Sequence, residues 1–384
     1  WHGVRVQIQM DGVPEYSQPE VKPGESFTYD FTVPDAGLFW YHPHVMSAAQ
    51  VGFGLTGGLL VDDPADGVGV ENQLVLVLSD MALDDAGRFE SPDSGGSTGM
   101  AFGREGNHVF VNGHERGRIT VRAGVPQRWR VVNTAKSRYF NLDLGAGTSI
   151  TKIGGDGGLQ EYQTTPEFLV LAPGERADLI VTPKGAPGSV VVVQSQLFNR
   201  GYGSVEARAA QDLFTMAFAR MPAYTAPPRP AVRRSITAPS MTGATPVKVD
   251  LGVIQVDGGV FRYTINGKPF PDPFLAKFGE TQIWTVTNPT PWSHPVHLHG
   301  FFFLVLDEKG EPVHPLEWKD TVSVPFKGTV KFLVRFDDRA GTWMFHCHIL
   351  DHAEGGLMTA LQLSATGERQ PAPAMSGMDH KPAP

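Results

Sequence analysis

The sequence contains a single cysteine among its 384 residues, so no disulfide bond can form within the chain. This cysteine, Cys347, is therefore a packing residue, a reactive thiol or a metal ligand. No apolar run reaches the length of about 18 residues that a membrane-spanning helix needs. Lysine and arginine (32 residues) are fewer than aspartate and glutamate (40 residues), and the resulting net charge of −8 argues against nucleic acid as a partner.

Sustained helical periodicity is almost absent, whereas short β-rich runs recur between Gly, Pro, Asn and Asp residues. The runs lie at Ser26–Val33, Gln73–Leu78, His108–Asn112, Arg128–Asn133, Val190–Gln194, Val247–Val256, Thr281–Asn288 and Lys331–Phe336. Gly (44 residues) and Pro (31 residues) are both plentiful, which suits strands joined by tight turns. The pattern predicts an all-β chain made of sandwiches or barrels.

Two breaks in composition predict the domain boundaries. The first is the acidic stretch Asp62–Gly67, and the second is the proline-rich stretch Ala223–Ala231. We therefore expect domains at 1–65, 66–225 and 240–368, a linker at 226–239 and a flexible tail at 369–384. Because the first domain is short for a full sandwich, we expect it to be truncated at its N-terminus.

An internal repeat relates the two ends of the chain. The segment Ala36–His44 aligns without a gap with Ala340–His348, and both end in a His-x-His triplet. A second histidine segment precedes each copy, Trp1–Gly3 in one case and His297–Gly300 in the other. The repeat predicts that the first and last domains are copies of one β-unit, and that a histidine precedes Trp1.

The histidines are concentrated in these segments. Nine of the 13 lie in four windows, at 1–3, 42–44, 294–299 and 346–352. Residues i and i+2 of a strand point to the same face, so each His-x-His directs two imidazoles to one place. Such pairs from two homologous domains predict a metal site at the interface between them. His108, His114 and His314 lie outside the windows, and we interpret them as surface or core residues.

Strand parity predicts a second site on the opposite face. Cys347 points away from its two histidine neighbours, and His294 has the opposite parity to His297 and His299. Together with His352, they form the two-histidine, one-thiolate ligand set of a blue copper centre. The other face offers seven imidazoles, which suits several coppers better than one zinc with its four ligands. Two alternatives stay open from the residues alone, an inert buried thiol and a zinc hydrolase.

The histidine and cysteine segments resemble the four copper signatures of the multicopper oxidase family. The segments that carry the resemblance are Trp1–Gly3, Trp40–His44, His294–Gly300 and His346–His352. The stretch Leu171–Asp178, which reads Leu-Ala-Pro-Gly-Glu-Arg-Ala-Asp, is similar to the middle domain of bacterial three-domain laccases. The resemblance implies three cupredoxin-like Greek-key domains and four coppers: one type 1, one type 2 and two type 3.

The resemblance also implies which residues bind each copper. His294, Cys347 and His352 match the type 1 ligands, and His297 matches the type 2 site together with the histidine expected before Trp1. His2, His42 and His348 match one type 3 copper, and His44, His299 and His346 match the other. The axial type 1 position falls on the non-ligating Leu357, with Met358 as the alternative axial ligand.

Catalytic roles are implied for three further positions. Asp11 matches a carboxylate near the type 2 site that relays protons, although Asp11-Gly12 is also an ordinary turn sequence. The family often has an acid directly after the final histidine; here Ala353 takes that place and Glu354 follows, which leaves a second relay open. His352 is the ligand expected nearest the reducing substrate.

We therefore expect a laccase-like oxidoreductase that couples one-electron oxidation of phenols or aromatic amines to reduction of O₂ to water. The alternatives are a cuprous oxidase for copper tolerance, with Cu(I) as the donor, and a non-catalytic cupredoxin protein with a structural or electron-transfer role. The family suggests a secreted or periplasmic location. In the tail, Met375–His380 either binds Cu(I) through thioethers and an imidazole or is a linker with incidental methionines.

Overall fold

Strands dominate the structure. The computed structural model of the chain describes residues 1–70, 72–203, 209–256 and 261–370. Within these ranges the helical elements are short: a 3-10 turn at Ile8–Met10 and the α-helices Ser47–Gly52 (α1), Gly96–Phe102 (α2) and Leu350–Glu354 (α3). None of the helices in the described ranges has the length and apolar character needed to cross a membrane. The prediction of an all-β chain is confirmed.

The first part of the chain contains one pair of strands. Gly37–Tyr41 (β1) and Gly57–Val61 (β2) run antiparallel, with Gly37 opposite Val61. Ser26–Val33, for which the sequence predicts a strand, is not one in the structure. This prediction is wrong because the sheet of the first part contains only β1 and β2 among the described strands. Strand-forming residues that are not paired with a neighbouring strand build no ladder.

Two sheets form the middle part. Their strands are Gln73–Met81 (β3), His108–Val111 (β4), Gly117–Val121 (β5), Gln127–Asn133 (β6), Phe140–Asp143 (β7), Ser149–Gly155 (β8), Gly158–Thr164 (β9), Val170–Leu171 (β10), Arg176–Thr182 (β11), Val190–Gln196 (β12) and Gln211–Phe218 (β13). One sheet has the order β4-β3-β6-β11-β8-β9 and the other β10-β7-β12-β13-β5. Trp129 and Phe214, from different sheets, pack in the core between them.

The last part is also built from two sheets. Its strands are Thr245–Gln255 (β14), Phe261–Ile265 (β15), Phe274–Lys277 (β16), Thr281–Asn288 (β17), His294–Leu298 (β18), Phe303–Leu306 (β19), Thr321–Val324 (β20), Gly328–Arg335 (β21), Gly341–Cys347 (β22) and Met358–Ser364 (β23). The sheet orders are β15-β14-β17-β21-β19 and β16-β23-β22-β18-β20. Trp284 from the first sheet packs on Phe345 from the second.

Side-chain alternation along β22 separates two environments. Phe345 and Cys347 belong to the core of the last sandwich, whereas Met344 packs against Val13 of the first part. The neighbouring β18 runs antiparallel to β22, with Val296 opposite Cys347 and His297 opposite His346. One pair of strands therefore presents different residues to the sandwich core and to the interface with the first part.

Candidate metal centre

Two histidines and the only cysteine meet inside the last sandwich. His294 begins β18, Cys347 ends β22 and His352 lies in α3, and none is more than 1% exposed. Sγ of Cys347 lies 3.5 Å from Nδ1 of His294 and 3.8 Å from Nδ1 of His352. Those two Nδ1 atoms are 3.1 Å apart. The other ring nitrogen of His294, Nε2, is hydrogen-bonded to Thr290 Oγ1 at 3.0 Å, so Nδ1 is the nitrogen that faces Cys347 and His352.

Burial determines the protonation of this trio. It lowers the pKa of His294 to about 3, lowers the pKa of His352 well below its ordinary value, and raises the pKa of the Cys347 thiol. Because an apolar surrounding disfavours a thiolate, a bound cation is required to make Cys347 an anion.

Seven imidazoles from the first and last parts lie on the other face of these strands. They include two groups of three whose ring nitrogens lie within 4.8 Å of one another, His2 with His42 and His348, and His44 with His299 and His346. Several buried ring nitrogens lack a hydrogen-bond partner among the described atoms: His2 Nδ1, His44 Nε2, His297 Nε2, His348 Nδ1 and His348 Nε2. Unpartnered buried nitrogens are costly, so their convergence fits a metal cluster.

The seventh imidazole, His297, is held together with His2 by an aspartate. The His297 and His2 rings stack with centroids 3.7 Å apart. Nδ1 of His297 lies 2.9 Å from the backbone oxygen of Asp320, and Nε2 of His2 lies 3.1 Å from Asp320 Oδ1. Burial alone would raise the pKa of Asp320, but the Arg176 guanidinium holds it well below its usual range. No sequence pattern points to Asp320, because it has no spacing relation to the histidine segments.

Comparison with models of known protein families identifies the family to which a chain with these two sites belongs. Three of them, each described as multicopper oxidase, match residues 1–66, 72–220 and 227–366. The chain belongs to the multicopper oxidase family. The family makes it an oxidoreductase with copper as cofactor, O₂ as oxidant and a reducing substrate, as the sequence predicts.

The relatives of this multicopper oxidase span most of its length. The multicopper oxidase MmcO of Mycobacterium tuberculosis is 29% identical, over 94% of this chain and 75% of that protein. A laccase of Bacillus subtilis is 26% identical, over 94% and 79%. The structure of a Campylobacter jejuni multicopper oxidase, described as a metallo-oxidase, aligns with a TM-score of 0.81 at 25% identity, over 95% of this chain and 79% of that one.

The donor atoms fit copper. A thiolate with two imidazoles is the trigonal set that copper electron-transfer sites use, and imidazole alone also suits copper. The convergence of Nδ1 atoms on the Cys347 sulfur supplies the first set, and the unpartnered interface nitrogens supply the second. The prediction of a copper cofactor is therefore confirmed by the family and is compatible with the side chains present.

The two candidate axial residues lie in different surroundings. Leu357 is fully buried in the same cluster as Cys347, and its carbonyl accepts a hydrogen bond from the Cys347 amide at 3.0 Å. Met358 lies opposite His346 in the β22–β23 ladder and packs with Val13 and Met344 instead. This arrangement supports Leu357 as the axial residue, which stays a prediction.

Asp11 lies beside the histidine cluster. It follows the 3-10 turn and is 2% exposed, and its Oδ2 lies 2.9 Å from Nδ1 of His299. Oδ1 has no hydrogen-bond partner among the described atoms, and burial raises the pKa of this carboxyl. Gly12 has φ +93°, so the Asp-Gly turn is present as well. The position supports the predicted proton relay without testing it.

Glu354 contacts the first part of the chain. Its Oε1 accepts hydrogen bonds from the Ala48 amide at 2.9 Å and from Ser47 Oγ at 3.1 Å, at the start of α1. Within the described part of the chain, the Glu354 carboxylate is thus hydrogen-bonded to α1 and not to a histidine. A relay role for Glu354 stays a prediction that these contacts do not support.

His352 is buried beneath α2. Its ring stacks on Tyr263 with centroids 4.2 Å apart, and the Tyr263 hydroxyl donates to the Ala101 carbonyl of α2 at 2.7 Å. His352 has no exposed surface, and its role as the ligand nearest the reducing substrate stays a prediction. Outside the centre, His108 and His314 pair with Glu115 and Glu161. The Met375–His380 segment lies outside the described residues.

Proposed function

We propose that this multicopper oxidase is of the laccase type, taking single electrons from phenols or aromatic amines and reducing O₂ to water. In this proposal His294, Cys347 and His352 hold the type 1 copper, and His297 contributes to the type 2 site. The type 3 pair is held by His2, His42 and His348 on one side and by His44, His299 and His346 on the other. Bound copper would supply one-electron transfer at the Cys347 site and the multi-electron reduction of O₂ at the histidine cluster.

The observation that carries the proposal is the position of Cys347. It lies between His346 and His348 at the end of β22, and all three side chains are at most 1% exposed. The cysteine belongs to the buried core trio, while the two histidines belong to the two interface groups. A short covalent backbone path therefore joins a one-electron site to a multi-electron site, which is the connection this reaction needs.

Proton supply is the second requirement, because reduction of O₂ to water consumes protons as well as electrons. We propose that Asp11 delivers them. Its Oδ2 lies 2.9 Å from Nδ1 of His299, while its buried Oδ1 has no hydrogen-bond partner among the described atoms and can carry a proton next to the cluster. A carboxyl group in this position exchanges protons with any water that enters between it and the histidines.

A cuprous oxidase is the second candidate, and the cover over His352 favours it. His352 has no exposed surface, since α2 and Tyr263 lie over it. A small metal ion passes such a cover more readily than a phenol ring does. Similarity to the Campylobacter jejuni metallo-oxidase points in the same direction.

Steady-state kinetics distinguish the two candidates. O₂ uptake is measured with a phenol and with Cu(I) as donor, on protein whose copper is counted per chain. A higher kcat/KM for the phenol supports the laccase-type proposal, and a higher value for Cu(I) supports the cuprous oxidase. Protein that carries copper but shows neither a blue absorption nor O₂ uptake would defeat both and leave a non-catalytic cupredoxin role.

We also propose, from the family resemblance, that the enzyme works in the periplasm or outside the cell. The domain limits 1–65, 66–225 and 240–368 likewise stay our proposal. Fractionation of the native cells with an antibody against the chain tests the location, and a signal confined to the cytoplasm would contradict it.

A further inference from the structure

The middle part of the chain contributes no histidine to either group, yet one of its turns touches them. This turn joins β10 to β11 and contains Gly174, whose φ is +90°. A Cβ atom at Gly174 would lie 2.9 Å from Cε1 of His2 and 3.0 Å from Cδ2 of His348. Glycine is needed here both for the backbone conformation and for the close approach.

Arg176, two residues later, connects all three parts of the chain. Its guanidinium donates to the Leu38 carbonyl of the first part at 3.1 Å and to the Gly174 and Asp156 carbonyls of the middle part at 2.9 Å each. It also makes a two-pronged ion pair with the Asp320 carboxylate of the last part, in which one contact is 2.7 Å. The side chains of Arg176 and Asp320 are at most 1% exposed, so solvent does not screen this pair.

Asp320 in turn orients the two stacked histidines. A proton on Nε2 of His2, donated to Asp320 Oδ1, leaves Nδ1 as the unprotonated nitrogen of that ring. Nδ1 of His2 is the nitrogen without a hydrogen-bond partner among the described atoms. The backbone oxygen of Asp320 holds Nδ1 of His297 at 2.9 Å, and Nε2 of His297 has no hydrogen-bond partner among the described atoms. Thr321 Oγ1 contacts the same nitrogens, Nε2 of His2 at 3.1 Å and Nδ1 of His297 at 3.2 Å.

We propose that Arg176 and Asp320 are positioning residues for the histidine cluster. The Asp320 carboxylate sets the tautomer and ring orientation of His2, and the Asp320 backbone oxygen holds the His297 ring stacked on it. Arg176 fixes the Asp320 carboxylate from the middle part. The Gly174–Arg176 turn, part of the Leu171–Asp178 stretch, thus packs against the histidine cluster without supplying any of its candidate ligands. The inference rests on the proposed copper cluster. Side chains that orient metal ligands raise the affinity of the site for the metal, and Arg176 and Asp320 have that role here.

The test compares Arg176→Met with Arg128→Met as its matched control. Arg128 forms a comparable buried pair in the same sheet, donating through Nε to Asp178 Oδ1 at 2.9 Å and through a terminal nitrogen to Oδ2 at 2.6 Å. Both variants remove the guanidinium that hydrogen-bonds a buried carboxylate, so we expect both to lower the melting temperature. Asp178 keeps Arg130 Nε at 3.8 Å, so the loss in Arg128→Met should not exceed that in Arg176→Met. Copper per chain is measured at fixed free copper set by a competing chelator, together with the paramagnetic resonance spectrum.

We expect copper affinity at the histidine cluster to fall about 10- to 100-fold in Arg176→Met relative to Arg128→Met. The blue absorption of the Cys347 site should persist in both. Arg176→Lys should recover part of the affinity, because lysine keeps the charge but not the two-pronged geometry. Equal copper affinity and equal spectra in Arg176→Met and Arg128→Met would overturn the inference.

A second pair of variants decides the matter if Arg176→Met does not fold. Asp320→Asn keeps the side-chain size and should weaken copper binding at the cluster, whereas the matched Asp178→Asn should not. Equal affinity in these two variants would overturn the inference as well. Wild-type protein measured alongside keeps the outcomes separate: wild type without copper or O₂ uptake defeats the proposed function, whereas equal variants of an active enzyme defeat only this inference.

Discussion

Replacing Leu357 by Met tests the axial position of the type 1 centre. Leu357 is fully buried in the cluster that contains Cys347. Leu→Met nearly conserves volume and costs less than about 1.5 kcal/mol, so the fold should survive. A thioether beside the copper would add a weak bond to the metal. We expect this bond to favour the oxidised form and therefore to lower the reduction potential. A preference of about 1.4 kcal/mol for that form corresponds to about 59 mV for a one-electron couple.

The assay is a redox titration of the blue absorption in wild type, Leu357→Met and the matched variant Met358→Leu. We expect a fall of tens of millivolts in Leu357→Met. Met358→Leu should leave the potential unchanged, because Met358 packs with Val13 and Met344 instead of with Cys347. A raised potential in Met358→Leu, with no change in Leu357→Met, would show that Met358 is the axial ligand and that the packing argument is wrong.

Three further outcomes follow from the site. Cys347→Ser should remove the blue absorption and stop turnover with phenols, because the thiolate is lost; a colourless variant that still consumes O₂ would refute the electron path. Asp11→Asn should lower kcat about 10- to 100-fold with little change in KM for the donor, and unchanged O₂ uptake would remove Asp11 from the relay. Stability of the copper-free protein should depend on pH, because burial lowers the pKa of six fully buried histidines, namely His2, His294, His299, His346, His348 and His352. Below the ordinary histidine pKa of about 6.5, the unfolded chain therefore binds more protons than the folded protein does. The contribution of these histidines to the free energy of unfolding is fully present above that pH. As the pH is lowered further, the free energy of unfolding decreases by at least about 1.4 kcal/mol per pH unit. The free energy of unfolding is measured by urea titration, and equal values at about pH 7.5 and about pH 5.5 would contradict this sign.

Seven of the eight predicted runs overlap strands of the structure, although further paired strands, such as Gly117–Val121 and Phe140–Asp143, are not among the predicted runs. Thr281–Asn288 is a strand over the predicted residues, and the run that begins at Gln73 extends to Met81. Ser26–Val33 has similar residues but joins no ladder in a part whose described sheet contains only β1 and β2. Strand propensity describes how side chains fit a sheet, so it fails where the fold supplies no sheet.

The sequence by itself determined which ligand types are present and how Cys347 relates to its neighbours. Side chains alternate along a strand with a period of two, so His346-Cys347-His348 separates a thiol from two imidazoles wherever the strand lies. That property is local, and spacing alone reveals it.

Tertiary structure alone decided which groups meet across the parts of the chain. Asp320 contacts His2, and Arg176 contacts Asp320, although long stretches of sequence separate them. Glu354 bonds to α1, and the β22–β23 register places Met358 opposite His346. These contacts depend on how three packed parts meet, and a single aspartate or arginine carries no periodic signal of its distant partner. The sequence therefore predicts the candidate ligands, whereas the side chains proposed to orient them emerge only from the structure.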